Sequence, residues 1–353
     1  MTSVDEALAA WGAYDRDEPF SLFAAVRARG AVHEVTLADG HGAWLVLGHA
    51  ECRAALNDPR LSKDLRAALA SGDEVVAEGL PGPAFARHML VVDPPDHTRL
   101  RRLVATAFSL RRIEALRPRI QDIVDDLLDD IAALGPDREV DLVTAFAFPL
   151  PFTVISELLG VPGDERAPLG GALVALLAPT TTPEEYATAK QASDSVVALL
   201  EHPAQLAAVR ADPRTIAAAV EELLRYDAPV PHATFRYARE PVDLGGATIP
   251  AGAQVVISLA AANRDPQVYP EPDTLDIQRT DARHLAFGHG IHFCLGAPLA
   301  RLEGQVALDS LLRRFPELRL ATGRERLHWG HGDGLVLRGL SELPVIPGAA
   351  HPR

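Results

Sequence analysis

The chain reads as an α+β protein, mostly helical, with small sheets near its start and its end. Three observations predict this class. Apolar residues recur at steps of three and four through much of the first two thirds. Two β-prone stretches flank an Asp-Gly turn close to the N-terminus. From residue 228 onward, β-prone stretches alternate with Pro and Gly. No change of composition resembles a linker, so residues 1–353 are read as a single domain.

The elements follow in order. Residues 32–37 and 43–47 form a hairpin about Asp39-Gly40, because a turn pair separates two β-prone runs. A short helix covers 49–57 and stops at Asp58-Pro59. Residues 62–90, rich in Ala, Gly and Pro, read as a loop with one short helix. Residues 96–134 are strongly helical, and Ile113, Leu116, Ile120, Ile123, Val124, Leu127, Leu128, Ile131 and Leu134 make one apolar stripe. Asp125, Asp126, Asp129 and Asp130 fall on the other face, which reads as a solvated face rather than a metal site. Further helices cover 152–159, 183–200, 202–210 and 214–226. A strand at 255–259 precedes a turn-rich stretch marked by Asp265-Pro266, Tyr269-Pro270 and Glu271-Pro272. The last helix, 297–315, turns Leu299, Leu302, Val306, Leu311, Leu312 and Phe315 inward, and short strands follow from Leu318.

Composition excludes several classes. With 48% hydrophobic residues the chain has enough apolar side chain for a large core, so it is not disordered, and no fixed period marks a fibre. Thirty-four basic against 48 acidic residues give a net charge of −14, which argues against nucleic acid or an anionic membrane as main partner. Two cysteines, Cys52 and Cys294, are too few for a disulfide scaffold. Asp5 and Glu6 stand where a signal peptide carries basic residues, and the longest uncharged run, 244–263, is broken by Gly245, Gly246, Pro250 and Gly252. A cytoplasmic protein with no membrane association is expected.

The chemistry concentrates in residues 287–296, Phe-Gly-His-Gly-Ile-His-Phe-Cys-Leu-Gly. Cys294 sits in a glycine-rich turn just ahead of a helix N-terminus, which favours thiolate. Gly288, Gly290 and Gly296 allow tight turns and close approach of backbone to a flat partner. No second Cys or paired His lies at zinc-ligand spacing, so the thiolate suits a metal already held by a macrocycle. Cys52, in an apolar helical stretch, reads instead as a small core residue.

The run from Phe287 resembles the haem-binding loop of cytochrome P-450 proteins. The resemblance implies haem b, with Cys294 as axial ligand to the iron, Phe287 and Gly288 beside the sulfur, and His292 facing a propionate. Asp93-Pro-Pro-Asp-His97-Thr-Arg-Leu-Arg101 is similar to the family's segment that donates His97 and Arg101 to the propionates, with Asp96 as helix cap, and Arg236 falls where the family places another such arginine. Glu222-Leu-Leu-Arg225 resembles the Glu-x-x-Arg signature, a structural pair. The family's third basic partner is expected at Thr274, with Arg279 nearby as a substitute. The likeness runs from residue 32 to about 345 and is nearest the soluble bacterial branch served by ferredoxin and ferredoxin reductase.

One family signature is missing. No Ala-Gly-x-Asp/Glu-Thr string occurs, and residues 201–206 already resemble the helix after the central one. The join lies near Leu200, with a shortfall of about 45–50 residues, enough to contain a central helix of about 30 residues and ~45 Å. Its loss is expected to remove the distal wall of the haem pocket, to expose apolar surface and to abolish the proton relay, while thiolate ligation survives. The expected function is a haem-dependent monooxygenase for a hydrophobic small molecule, oxygen activation impaired, its pocket lined by residues 62–90, 165–185 and the stretch after Pro229. The rivals are a non-catalytic auxiliary protein that binds and activates a glycosyltransferase in a secondary-metabolite pathway, a haem-thiolate protein using peroxide or no oxygen, and an inactivated relic.

Overall fold

A computed structural model of the chain describes residues 3–64, 88–164, 183–280, 283–330 and 337–353. The Thr180-Thr-Thr182 cluster, most of the loop expected at 62–90 and most of the expected pocket lining at 165–185 lie outside the described residues. The chain forms two compact units, each assembled from separate stretches. One comprises Met1–Ser109, His232–Pro270 and Phe287–Leu295, and the other Leu110–Pro231, Glu271–Ala286 and Gly296–Arg353.

The first unit is built on a five-stranded sheet. The predicted hairpin forms between Val32–Thr36 and Gly42–Val46, with Val32 opposite Val46 and Thr36 opposite Gly42. Its turn is closed by Gly40 at φ +90°, a conformation glycine adopts without a Cβ clash. Gln254–Ile257 runs parallel to Gly42–Val46 and antiparallel to Arg236–Ala238, which in turn pairs with Leu61–Ser62 at the edge. The strand expected at 255–259 ends at Ile257 because Ser258 turns the chain, its Oγ accepting from the Ala261 N–H to start the helix Leu259–Ala262. The helix His49–Asn57 buries Cys52, whose Sγ donates to the carbonyls of Val46 and Ser258 at 3.4 and 3.5 Å, as a core thiol would.

The helix expected over 96–134 is three helices: Asp96–Ala105, Leu110–Glu114 and Arg117–Ala133. Leu103 and Val104 are exposed, so no apolar stripe carries the first past Ala105. Pro118 opens the third, where its missing N–H has no intrahelical partner to lose. Asp96 does not cap: it is the first helical residue, Pro95 precedes it, and the Asp93 carbonyl accepts from the His97 N–H at 3.0 Å.

The second unit is helical around the predicted stripe, with Ile113, Ile120, Ile123, Val124, Leu128 and Ile131 buried and Leu134 exposed. The helix expected at 152–159 begins earlier, as Pro149–Leu158, after a π-helical turn Val143–Ala147. Pro183–Glu201 runs unbroken through Leu200. It packs against Pro149–Leu158, Pro203–Ala211, Ile216–Tyr226 and Ala297–Arg314, and residues 191–199 are buried all round. The apolar exposure expected around the join is not met there: Val196, Val197 and Leu199 are core residues. Short strands complete the unit. Pro344–Ile346 lies between Val140–Asp141 and Arg319–Leu320, and Trp329–Gly330 pairs with Gly339–Leu340.

Candidate functional site

The cysteine loop is folded by its own backbone. The Phe293 N–H donates to the Gly290 carbonyl at 3.1 Å, and the Cys294 N–H to the Phe287 carbonyl at 2.9 Å. Gly288 and Gly290 hold φ of +71° and +73°. At Gly290 glycine is required twice over, since a Cβ would fall 2.8 Å from the Leu56 carbonyl oxygen at the end of the helix His49–Asn57. The rings of Phe287 and Phe293 meet edge-on at 6.4 Å. Cys294 is a half-buried thiol three residues ahead of the helix Ala297–Arg314.

The helix Asp96–Ala105 meets this loop at two points one turn apart. The His97 ring lies 4.3 Å from that of His292, and the Arg101 Nη2 donates to the Phe293 carbonyl at 2.6 Å. The four-residue spacing puts both side chains on one helix face. The sheet supplies the other wall. Arg236 is buried, its Nη1 donating to the Thr234 carbonyl at 3.2 Å. The edge pairing of Leu61–Ser62 with Arg236–Ala238 brings in Lys63, also buried, whose Nζ donates to the Thr234 hydroxyl. Asp93 faces this group, accepting from the Ser62 hydroxyl, from the Lys63 N–H at 3.1 Å and from the Arg239 Nη2 at 2.5 Å.

Positive charge is thus concentrated out of water. Burial, then the charges of Lys63, His97, Arg236 and Arg101, push the His292 pKa down to about 2. Burial, with Arg101 and Lys63, also lowers that of His97. Burial brings the Arg236 guanidinium down to about 10, with Asp93 opposing. The Nε2 atoms of His97 and His292 are buried without a hydrogen-bond partner. Buried cations and orphaned ring nitrogens in one place are costly until an anion joins them, so the cluster suits a ligand bearing carboxylates. The neighbouring thiol, on the loop that carries His292, suits its metal.

The Glu-x-x-Arg pair lies in the second unit on the helix Ile216–Tyr226. Arg225 and Glu222 form a bidentate bond at 2.7 and 2.8 Å, both side chains essentially inaccessible. Arg225 also donates to the carbonyls of Pro272 and Thr274 at 2.7 and 3.1 Å. Arg279 reaches Glu222 at 3.3 Å, so the arginine supplies the third, basic partner and Thr274 contributes only backbone. The adjacent Glu221, bonded by Arg301 and His284, is held at about 2: those bonds outweigh the opposing effect of burial.

Sequence reasoning missed Lys63, Asp93, Thr234 and Arg239 as site residues. Their only signal is long-range strand pairing, which no local pattern announces. On the acidic face Asp126 is exposed, and Asp129 pairs with Arg314 at 2.7 Å and with Arg353.

A cysteine on a glycine-rich loop beside buried cations is the arrangement expected of a haem-thiolate protein. The family model described as Cytochrome P450 matches residues 180–329. Cytochrome P450 monooxygenase PikC of Streptomyces venezuelae is 42% identical over 386 residues, covering 93% of this chain and 91% of that protein. 6-Deoxyerythronolide B hydroxylase of Saccharopolyspora erythraea is 37% identical over 372 residues, covering 87% and 90%. Among solved structures, the tirandamycin C-bound P450 monooxygenase TamI is 38% identical with a TM-score of 0.82 and coverage of 94% and 98%. A myxobacterial P450 in complex with myristic acid is 35% identical with a TM-score of 0.85 and coverage of 96% and 98%. The chain belongs to the cytochrome P450 family, and haem b is its cofactor.

The alignments bear on the missing segment. Ninety-three per cent of 353 residues is about 328, so about 58 of the 386 positions aligned with PikC have no counterpart here. The same reckoning for the hydroxylase leaves about 65. Among the described residues, no helix is long and apolar enough to cross a membrane.

Proposed function

We propose that Cys294 holds the haem iron through its thiolate, and that this chain is a cytoplasmic monooxygenase-type oxidoreductase for a hydrophobic small molecule, supplied with electrons by ferredoxin and its reductase. The observation that carries the reading is Cys294 on the same loop as His292, within one compact unit that buries a surplus of cations. Haem, when bound, supplies an iron that binds and reduces oxygen.

The chain's own residues then have distinct tasks. Cys294 donates electron density through sulfur. His97, Arg101, Arg236 and His292 would hold and orient the propionates, and Arg101 also fixes the loop through the Phe293 carbonyl. Phe287, packed on Phe293, would keep water from the sulfur, and Gly288 lets the loop backbone turn at φ +71°. Glu222 and Arg225 brace the second unit. The hydrophobic substrate class rests on relatives such as Vitamin D(3) 25-hydroxylase of Pseudonocardia autotrophica. The absent acid–Thr string leaves proton delivery to oxygen without its usual groups, so the reading includes impaired oxygen activation.

The test is optical. Reconstituted with haem b, the wild type is expected to give the red-shifted Soret band of thiolate ligation when reduced under carbon monoxide, and Cys294→Ala to lose it. A wild type that binds no haem, or binds it without that band, overturns the reading. The 58 unmatched positions favour one alternative, an auxiliary protein that activates a glycosyltransferase. A haem-free wild type that melts cooperatively and binds such an enzyme would put that reading first.

A further inference from the structure

We infer that Lys63 is a further cation of the propionate site, its buried Nζ set on the Thr234 hydroxyl beside Arg236. The inference rests on the haem reading above.

Topology delivers the residue. Leu61–Ser62 pairs with Arg236–Ala238, Leu61 opposite Ala238 and Ser62 opposite Tyr237, so the chain leaves the sheet edge at Lys63 alongside Thr234. The Lys63 N–H is pinned to Asp93 Oδ1 at 3.1 Å, which fixes the backbone from which the side chain turns inward. Thr234 then holds two buried cations at once, the Lys63 ammonium on its hydroxyl and the Arg236 guanidinium on its carbonyl. Asp93 faces them, but its carboxylate already accepts from Ser62, the Lys63 N–H and Arg239.

The facing wall carries His97 and His292, two rings whose Nε2 atoms are buried without a hydrogen-bond partner. Through their shared partner Thr234, Lys63 stands beside Arg236, and so beside the position that a carboxylate between the rings and Arg236 would take. As a compact point charge on a flexible stem, an ammonium suits a carboxylate approached from the side. A positive charge there tightens haem binding and favours the reduced iron, which carries one positive charge fewer.

The experiment compares wild type, Lys63→Met and Lys63→Arg, each reconstituted with haem b. Haem transfer to apomyoglobin and the ferric–ferrous midpoint potential are measured, with thermal melts of the apoproteins alongside. Lys63→Met is expected to release haem about tenfold faster or more, the size of one charge-assisted hydrogen bond, and to shift the midpoint to more negative potential. Lys63→Arg is expected to restore both. The Lys63→Met apoprotein is expected to melt no lower than wild type, because a buried cation has gone. A Lys63→Met protein with wild-type transfer rate and midpoint overturns the inference. So does one whose only defect is a lower apoprotein melt, which marks a structural residue. Should Lys63→Met fail to fold, Lys63→Gln keeps a donor for Thr234, drops the charge and decides between the same outcomes. A wild type without the thiolate spectrum defeats the haem reading itself, a result distinct from a wild type that loads and a variant that releases haem no faster.

Discussion

Two imidazoles 4.3 Å apart, His97 buried and His292 half-buried beside the same cations, set the pH response of the apoprotein. A base whose folded pKa lies below its unfolded value binds fewer protons in the fold, so the fold loses stability as pH drops beneath the unfolded pKa. For His292 the loss begins near 6.5 and continues toward about 2, and His97 shifts in the same direction. Between pH 6.5 and 4.5, His292 should cost the apoprotein roughly 1 kcal/mol per pH unit. Denaturant unfolding across that range should show the slope in wild type and a shallower one in His292→Gln. On the proposed reading, His97 and His292 would hold the propionates of bound haem, whose charge would favour the protonated rings and reverse the sign.

At the scale of elements, two carboxyls on neighbouring helices show opposite fates. Glu222 is fully paired, so Glu222→Ala strands Arg225 and Arg279. A buried ion pair broken on one side typically costs about 3–5 kcal/mol, and urea unfolding should register a loss of that order, with Glu222→Gln milder because it keeps an acceptor. Glu303, on Ala297–Arg314, has no such partner for its Oε1, and burial pushes its pKa up to about 8. In the fold it binds a proton the unfolded chain releases near 4.5, so its contribution is present below that pH and is lost as pH rises toward about 8. Glu303→Gln should melt higher than wild type at pH 8 and alike at pH 4.5. Equal melts at both values would remove Glu303 from the account.

For the whole molecule the decisive feature is the shortened centre. Pro183–Glu201 spans 19 residues, about 28 Å at 1.5 Å per residue, against ~45 Å for the helix the family resemblance implies. It nevertheless fills the middle of its unit, with residues 191–199 enclosed by helices and by the strand Gly339–Leu340. Folding and thiolate ligation should therefore survive where proton delivery does not. With ferredoxin, its reductase and NADPH, the loaded protein is expected to consume NADPH while releasing most of the oxygen reduced as peroxide. Product formation matching NADPH consumption would mean that another group hands over the protons.

The motifs of this protein were legible wherever chemistry is written locally. The glycines around Cys294 are needed by the backbone of their own loop, His97 and Arg101 share a face by helix geometry alone, and Glu222 with Arg225 is one turn of helix. The apolar stripe from Ile113 to Ile131 carried its own period, and the Asp39-Gly40 turn set its hairpin's register. Other features depended on residues far apart in the chain. The breaks after Ala105 and before Arg117 follow from which apolar side chains find cover and where Pro118 falls. The burial of residues 191–199 on every side depends on the elements packed around them. Lys63 and Thr234 meet only because Leu61–Ser62 pairs with Arg236–Ala238, 171 residues separating the two side chains. Arg279 replaces Thr274 because Glu222 is within its reach. A residue's spacing along a helix or turn is a property of the chain; which charges share a buried volume is a property of packing, and packing gathered Lys63 and Arg236 about Thr234.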